Sequence, residues 1–323
     1  MDFGYLLPTR GIVLDSDTAG TLAAKTQADV VDRAARAEAL GFRSVWVGDS
    51  VLAKPRLEPL STLAAVATRT DAVDLGTAVY LPALRDPVHV AHQTATVDQL
   101  SGGRLAFGIG VGIGSDVAAE YDNLDVRYAE RGPRTDELLE VLTALWSGEP
   151  VTFEGDFFQV EDASIGFEPA GDPPIYLPSA AFDVDEGFPA PIRNRLAAHG
   201  DGWLPITLSP DTYARGLDSV REFVADAGRD PNDLDPALYL DVVVGEEERA
   251  VQEAREFYDR YYPAWETLSD EEVRSHGVFG PPARVAEALE AYADAGAEHV
   301  VVRFPARDQR EQLRRLADLA PLG

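Results

Sequence analysis

Eight short apolar runs separated by stretches of helical spacing restrict the fold of this chain more than any other feature. The runs lie at residues 3–8, 44–48, 73–81, 105–112, 174–177, 202–206, 237–244 and 299–304. Most are near-continuous Val, Ile, Leu and Ala, the pattern of strands buried on both faces. Residues 28–40, 59–69, 87–100, 131–146, 210–227, 246–265, 282–295 and 308–319 read as helices. Gly41 and Gly296 close two of them, and Pro87 opens another, where its missing N–H costs nothing. Strands alternating with helices imply parallel βα units. Eight such units predict a (β/α)8 TIM barrel, with a doubly wound open sheet as the alternative. Residues 151–167 (VTFEGDFFQVEDASIGF) depart from the alternation. They predict a β-hairpin inserted outside the barrel after the fourth helix, turning near Gly155 and Asp156. With no compositional linker in 323 residues, a single domain spanning 1–323 is expected.

The chain has no cysteine, which rules out disulfides and thiolate chemistry. The N-terminal MDFGYLLPTRG lacks the pattern of a signal peptide, and no apolar run is long enough to span a membrane. A cytoplasmic protein without a membrane partner is expected. Acidic residues number 56 against 28 basic ones, a net charge of −28, and only Lys25 and Lys54 are lysines. Such a surface repels nucleic acid. The acidic excess runs along the whole chain, which reads as adaptation to a high-salt, halophilic cytoplasm where ions screen self-repulsion.

In a barrel of this kind chemistry sits at the C-terminal strand ends. Asp49 ends the second strand, where an acid is either a cap or a functional carboxylate, and Ser50 beside it either binds a ligand or shapes the turn. Glycines alternate through GIGVGIG from Gly108 to Gly114. They mark either close packing or a backbone surface for a planar ring or phosphate. The spacing is not the G-x-G-x-x-G of dinucleotide folds, and no helix is expected to open after it. His89 and His92 lack a third ligand at usable spacing, so no metal site is expected. Residues 265–272 (WETLSDEE) read as a solvated acidic surface.

Three stretches carry a family resemblance: residues 37–50 (AEALGFRSVWVGDS), 74–112 (DLGTAVYLPALRDPVHVAHQTATVDQLSGGRLAFGIGVG) and 129–148 (AERGPRTDELLEVLTALWSG), with DAGAEHVVVRFP at 294–305. The chain resembles the bacterial luciferase-like superfamily of flavin- or F420-dependent oxidoreductases, above all its F420-dependent branch. The resemblance implies a hydride transferred between coenzyme F420, or alternatively FMN, and a small-molecule substrate. An FMN-dependent monooxygenase and a non-catalytic cofactor-binding barrel are the other readings. It also implies a homodimer through the second and third helices. It implies a non-prolyl cis peptide at Ala78–Val79 behind the ring, and cofactor-lining roles for Thr77, Ala78, Val79, Gly110 and Gly112. Pro178, Ser179 and Ala180 match a loop whose amides meet the cofactor phosphate, and Arg310 matches a basic residue near a phosphate. Asp49 matches an acid near the ring or substrate, acting as proton acceptor or anchor, with Ser50, Tyr80 and Arg10 as polar wall. The chain departs from the family pattern in two places: Ser50 replaces a common His, and Ile113 stands where a sugar-phosphate branch has Glu. The loop from Pro178 also carries Asp183, Asp185 and Glu186, which would repel a phosphate.

Overall fold

The computed structural model describes residues 1–10, 27–179, 182–183, 185–262 and 268–319. Eight parallel strands close on themselves: β1 (Asp2–Leu6), β2 (Ser44–Val47), β3 (Asp74–Thr77), β4 (Leu105–Gly108), β7 (Ile175–Leu177), β8 (Gly202–Trp203), β9 (Asp235–Val244) and β11 (His299–Arg303). Neighbours pair in that order, and β9 pairs with both β8 and β11, which completes the cylinder. The barrel alternative holds and the open sheet does not. The two-stranded hairpin of β5 (Val151–Glu154) and β6 (Gln159–Ala163) stands apart, as expected. One strand was not foreseen. β10 (Gly277–Gly280) extends the far end of β9, pairing with Asp241 to Val244.

The helices α1 (Asp32–Ala39), α2 (Pro59–Ala67), α3 (Pro87–Ser101), α5 (Arg131–Leu145), α7 (Pro210–Asp226), α8 (Glu247–Tyr261), α10 (Pro282–Asp294) and α11 (Gln309–Leu319) follow the predicted periodicity. Local chemistry sets their ends. Asp86 caps α3 through the Val88 and His89 amides, and Glu58 caps α2 through those of Leu60 and Ser61. Three helices were not foreseen: α4 (Ser115–Asn123), α6 (Ala190–His199) and α9 (Asp270–Ser275). The first corrects the expectation that no helix opens after the glycine run. Within the acidic stretch read as surface, Ser269 and Glu272 form a capping box that starts α9.

Several strands are shorter than their apolar runs, for local reasons. Pro205 has no N–H to donate, so β8 stops at Trp203, although Ile206 still bridges to Tyr239. β4 leaves the sheet after Gly108 and Ile109 as the glycines begin. β3 breaks at Ala78 and resumes as a bridge between Tyr80 and Ile109, and the Ala78–Val79 peptide is cis, as the resemblance implied. The barrel interior is filled by Trp46, Ala106, Tyr176, Leu204, Ala237, Tyr239 and Val301. Glycines opposite make room for the rings: a Cβ at Gly76 would lie 2.1 Å from Trp46, and one at Gly202 would lie 2.2 Å from Tyr176.

Candidate active site

A cavity of about 1090 Å³ opens at the C-terminal strand ends. One wall is apolar and comes from Ala78, Val79, Gly112, Val117, Pro178 and Leu204. The rest of the lining is charged with both signs: Arg10, Lys54, Arg56 and Arg303 form a cationic wall, in a chain whose net charge is −28, and Asp29, Glu253, Glu256 and Asp259 line the cavity as well. The volume lies just above the usual range of ligand pockets and accommodates a tricyclic ring with a substrate beside it.

The glycine run serves mainly packing. A Cβ on Gly108 would meet the Thr77 carbonyl at 1.9 Å, and one on Gly110 would meet Val79 at 2.4 Å. These glycines let β4 approach the broken strand β3. Gly112, with φ of 69°, turns the chain into the cavity wall. Thr77 is fully buried and donates to the Gly108 carbonyl at 2.7 Å, so it supports the wall from behind.

Asp49 and Ser50 both reach the mouth, but protein partners engage their polar atoms. The Asp49 side chain is 1 % exposed. Arg85 donates to both its oxygens, at 2.6 and 2.9 Å, and the Leu81 amide adds a third bond at 2.9 Å. The Arg85 guanidinium in turn lies 4.2 Å from the Tyr80 ring centroid. Tyr80 is fully buried and does not line the cavity, which corrects its expected place in the polar wall. Ser50 donates to Glu120 at 3.2 and 3.3 Å and accepts from the Lys54 amide at 2.8 Å.

Glu120 is a site residue that sequence reasoning missed. It is buried on α4, lines the cavity, and accepts the Val51 and Leu52 amides. A signal existed: Val117, Glu120 and Tyr121 form the buried stripe of that helix, and a carboxylate on such a stripe needs donors. Arg56 and Tyr262 were also missed. The Arg56 guanidinium crosses over the backbone at Gly48, where a Cβ would meet its Nη1 at 2.0 Å.

Pro178 lines the cavity, Ser179 is buried, and Ala180 lies outside the described residues. None of Asp183, Asp185 and Glu186 lines it. The Asp183 carboxylate folds back onto the Asp185 and Glu186 amides, both at 2.8 Å, and these bonds hold it below the usual carboxylate range. The repulsion expected of this loop therefore does not face the cavity. Arg310 is exposed outside the cavity wall and reaches Asp29 at 3.4 Å. No group of three potential metal ligands occurs among the described residues. Nor is any described helix long and apolar enough to cross a membrane.

A closed eight-stranded parallel barrel with a ring-sized cavity at its C-terminal mouth defines the class of (β/α)8 barrel enzymes. Within that class, a profile of the luciferase-like monooxygenase family matches residues 1–299, and the chain belongs to that family. It is similar to the F420-dependent glucose-6-phosphate dehydrogenase of Intrasporangium calvum, at 29 % identity over 91 % of this chain and 94 % of the relative. Among solved structures, it is similar to an F420-dependent secondary alcohol dehydrogenase in complex with an F420–acetone adduct. The TM-score is 0.79 at 20 % identity, over 99 % of this chain and 98 % of that one. A monooxygenase from Streptomyces bottropensis gives a TM-score of 0.82 at 22 % identity, with 99 % of each chain covered.

Proposed function

We propose that this protein is an oxidoreductase that transfers a hydride between coenzyme F420 and a small organic substrate bearing a hydroxyl or carbonyl group. The observation that carries the reading is the bipartite lining of the cavity: apolar at Ala78, Val79, Gly112 and Pro178, and polar and charged elsewhere, with a cationic group of Arg10, Lys54, Arg56 and Arg303. The relative's F420-dependent dehydrogenase activity points the same way. When bound, the deazaflavin supplies the two-electron chemistry, and the protein supplies position, charge and exclusion of water.

The chain's own residues divide that work. Ala78 and Val79 form the flat surface against which a ring rests, with Gly110 behind Val79 and Thr77 behind the strand break. Pro178, Ser179 and Ala180 lead the loop assigned to the cofactor phosphate, with Arg310 as an outlying cation. Asp49 acts as an anchor: its bond pair with Arg85 fixes the ends of β2 and β3 at the substrate side. Ser50, held by Glu120, completes that edge. The chain works as a single domain over 1–323 and as a homodimer in a halophilic cytoplasm. Light scattering and unfolding in graded KCl bear on the last two.

An FMN-dependent monooxygenase is the second reading, favoured by the fold shared with the Streptomyces enzyme. A cofactor-binding barrel without chemistry is the third, favoured by Ser50 and Ile113 at positions where relatives of the resemblance carry proton-handling groups. Titration of the protein with F420 and with FMN, followed by quenching of its four tryptophans, separates the first two. Saturable F420 binding with FMN at least about tenfold weaker, roughly 1.4 kcal/mol, is expected. Tighter FMN binding reverses the order.

A further inference from the structure

Oxidising a carbinol to a carbonyl removes a hydride from carbon and a proton from oxygen, and a positioned side chain must take that proton. The residues expected to do so are committed elsewhere. Both Asp49 oxygens accept from Arg85, and Ser50 donates to Glu120. Glu120 accepts the Val51 and Leu52 amides through Oε1 and meets Ser50 through Oε2. Of the four other lining carboxylates, Asp29, Glu253 and Glu256 pair with Arg33 at 2.7 Å, Arg249 at 3.3 Å and Arg307 at 2.6 Å, and Asp259 is exposed.

The cationic wall carries a different acid–base group. Tyr262 follows α8, is half-buried and lines the cavity. Its phenol oxygen accepts a hydrogen bond from Arg303 Nη1. Arg303 is pinned at the end of β11 by Asp241 on β9, with Nε to Oδ1 at 2.7 Å, and Tyr258 of α8 donates to the other Asp241 oxygen. From the end of β1, the Arg10 guanidinium lies 4.6 Å from the Tyr262 ring centroid. The Nε and Nη1 of Arg10 are buried and meet no hydrogen-bond acceptor among the described residues. From the β2 loop, Lys54 Nζ lies 5.8 Å from the same centroid, and Arg56 adds a further positive charge. Tyr239 of β9 is the remaining phenol nearby. Among the described residues, the charged groups placed against Tyr262 are thus the cations Arg303, Arg56, Arg10 and Lys54 and the Asp241 carboxylate, which is itself tied to Arg303.

We propose that Tyr262 is the acid–base residue of this active site, taking the hydroxyl proton of the substrate as hydride leaves its carbon and returning it in the reverse direction. The proposal rests on the dehydrogenase reading above. In the oxidising direction the carbinol C–H bond breaks, and its electron pair passes with the hydrogen to oxidised F420. The O–H bond breaks and its proton passes to the Tyr262 phenolate, while the C–O bond becomes a carbonyl. The neutral phenol then loses its proton to water at the open mouth. The electrostatics support this assignment. Burial raises the Tyr262 phenol, but Arg303, Arg56 and Arg10 outweigh it and bring the group below the ordinary tyrosine range. Tyr239 and Tyr258 are pushed up by burial.

Two measurements test the proposal together. Near-ultraviolet difference titration of the protein without cofactor should show one phenol ionising below the usual tyrosine value of about 10. That phenol should be missing from Tyr262→Phe, whose thermal unfolding reports that it folds. Then 2-propanol, other secondary alcohols and 2-hydroxy acids are screened for F420 reduction. With the best of these, Tyr262→Phe should lose about a hundredfold or more in kcat/KM, the range of general acid–base catalysis, and should lose the basic limb of the pH profile. An early-titrating phenol that persists in Tyr262→Phe overturns the inference. So does turnover that Tyr262→Phe keeps within about threefold with an unchanged pH profile. If the panel yields no F420 reduction at all, the dehydrogenase reading falls and the proton role falls with it, whatever the phenol titration shows.

Discussion

At the N-terminal end of the barrel, buried polar groups are knitted to one another, with only single atoms such as Asp235 Oδ1 and His299 Nδ1 left over; at the C-terminal end, cations crowd a cavity wall and the Arg10 Nε and Nη1 donors meet no acceptor among the described residues. On the floor, Trp46 donates to Ser44 at 2.6 Å, Ser44 meets His299 at 2.8 Å, and Tyr176 and Arg43 donate to Asp235 at 2.6 and 2.8 Å. At the mouth, Arg10 keeps two buried donors without acceptors among the described residues, and Ile113 is 80 % exposed on the rim. Unsatisfied buried donors are costly, and those on a cavity wall are ones a ligand can complete. The same eight strands thus put stability at one end and recognition at the other.

Substitutions at the two ends should separate these roles. The largest effect is expected on the floor. Trp46→Ala should lower the unfolding free energy by about 3–5 kcal/mol, because it empties the interior facing Gly76 and Tyr176. Denaturant unfolding measures this, and F420 affinity of the folded fraction should hold. An equal loss of F420 affinity would break the division.

Asp235 gives the next effect, through pH. Burial raises this carboxyl, but His299, Tyr176 and Arg43 outweigh it and hold it at about 2. A carboxyl depressed in the folded state contributes stability that is complete above its unfolded value near 4 and is lost as pH falls through the folded one. The folded protein should therefore lose roughly 2 kcal/mol between about pH 4 and pH 2 through this group. Asp235→Asn should be less stable at neutral pH and should lack that part of the acid dependence, as read by unfolding at several pH values.

The smallest effect on stability belongs to the mouth. Gly48→Ala places a Cβ against the flexible end of Arg56. It should change the unfolding free energy by less than about 0.5 kcal/mol, yet displace Arg56 and alter kcat/KM about tenfold, roughly 1.4 kcal/mol. A stability loss as large as that of Trp46→Ala would sharpen the comparison against us, by showing that the mouth also bears load.

Much of the barrel was legible because burial on both faces leaves a local signature in every strand, from SVWVG to HVVVRF. The helix α4 was not, because the glycine run before it masks the periodicity that Val117, Glu120 and Tyr121 begin. The ends of β4 and β8 were misjudged because apolar composition continues through Gly110 and past Pro205, where the regular ladder gives way to isolated bridges. For the site, position alone brought Asp49, Val79 and Gly112 to the mouth. What position could not show was occupancy of their atoms. The partner of Asp49 is Arg85, thirty-six residues on, and Tyr262 gains its surroundings from Arg10, Arg56 and Arg303, which meet only when the barrel closes. Long-range convergence of that kind has no sequence spacing.

A structure of the protein with F420 bound tests the central claim most directly. The ring should lie against Ala78 and Val79, leaving the space before Tyr262 and Arg10 to the substrate. A ring seated on the cationic wall, or F420 bound anywhere but this mouth, would contradict the account.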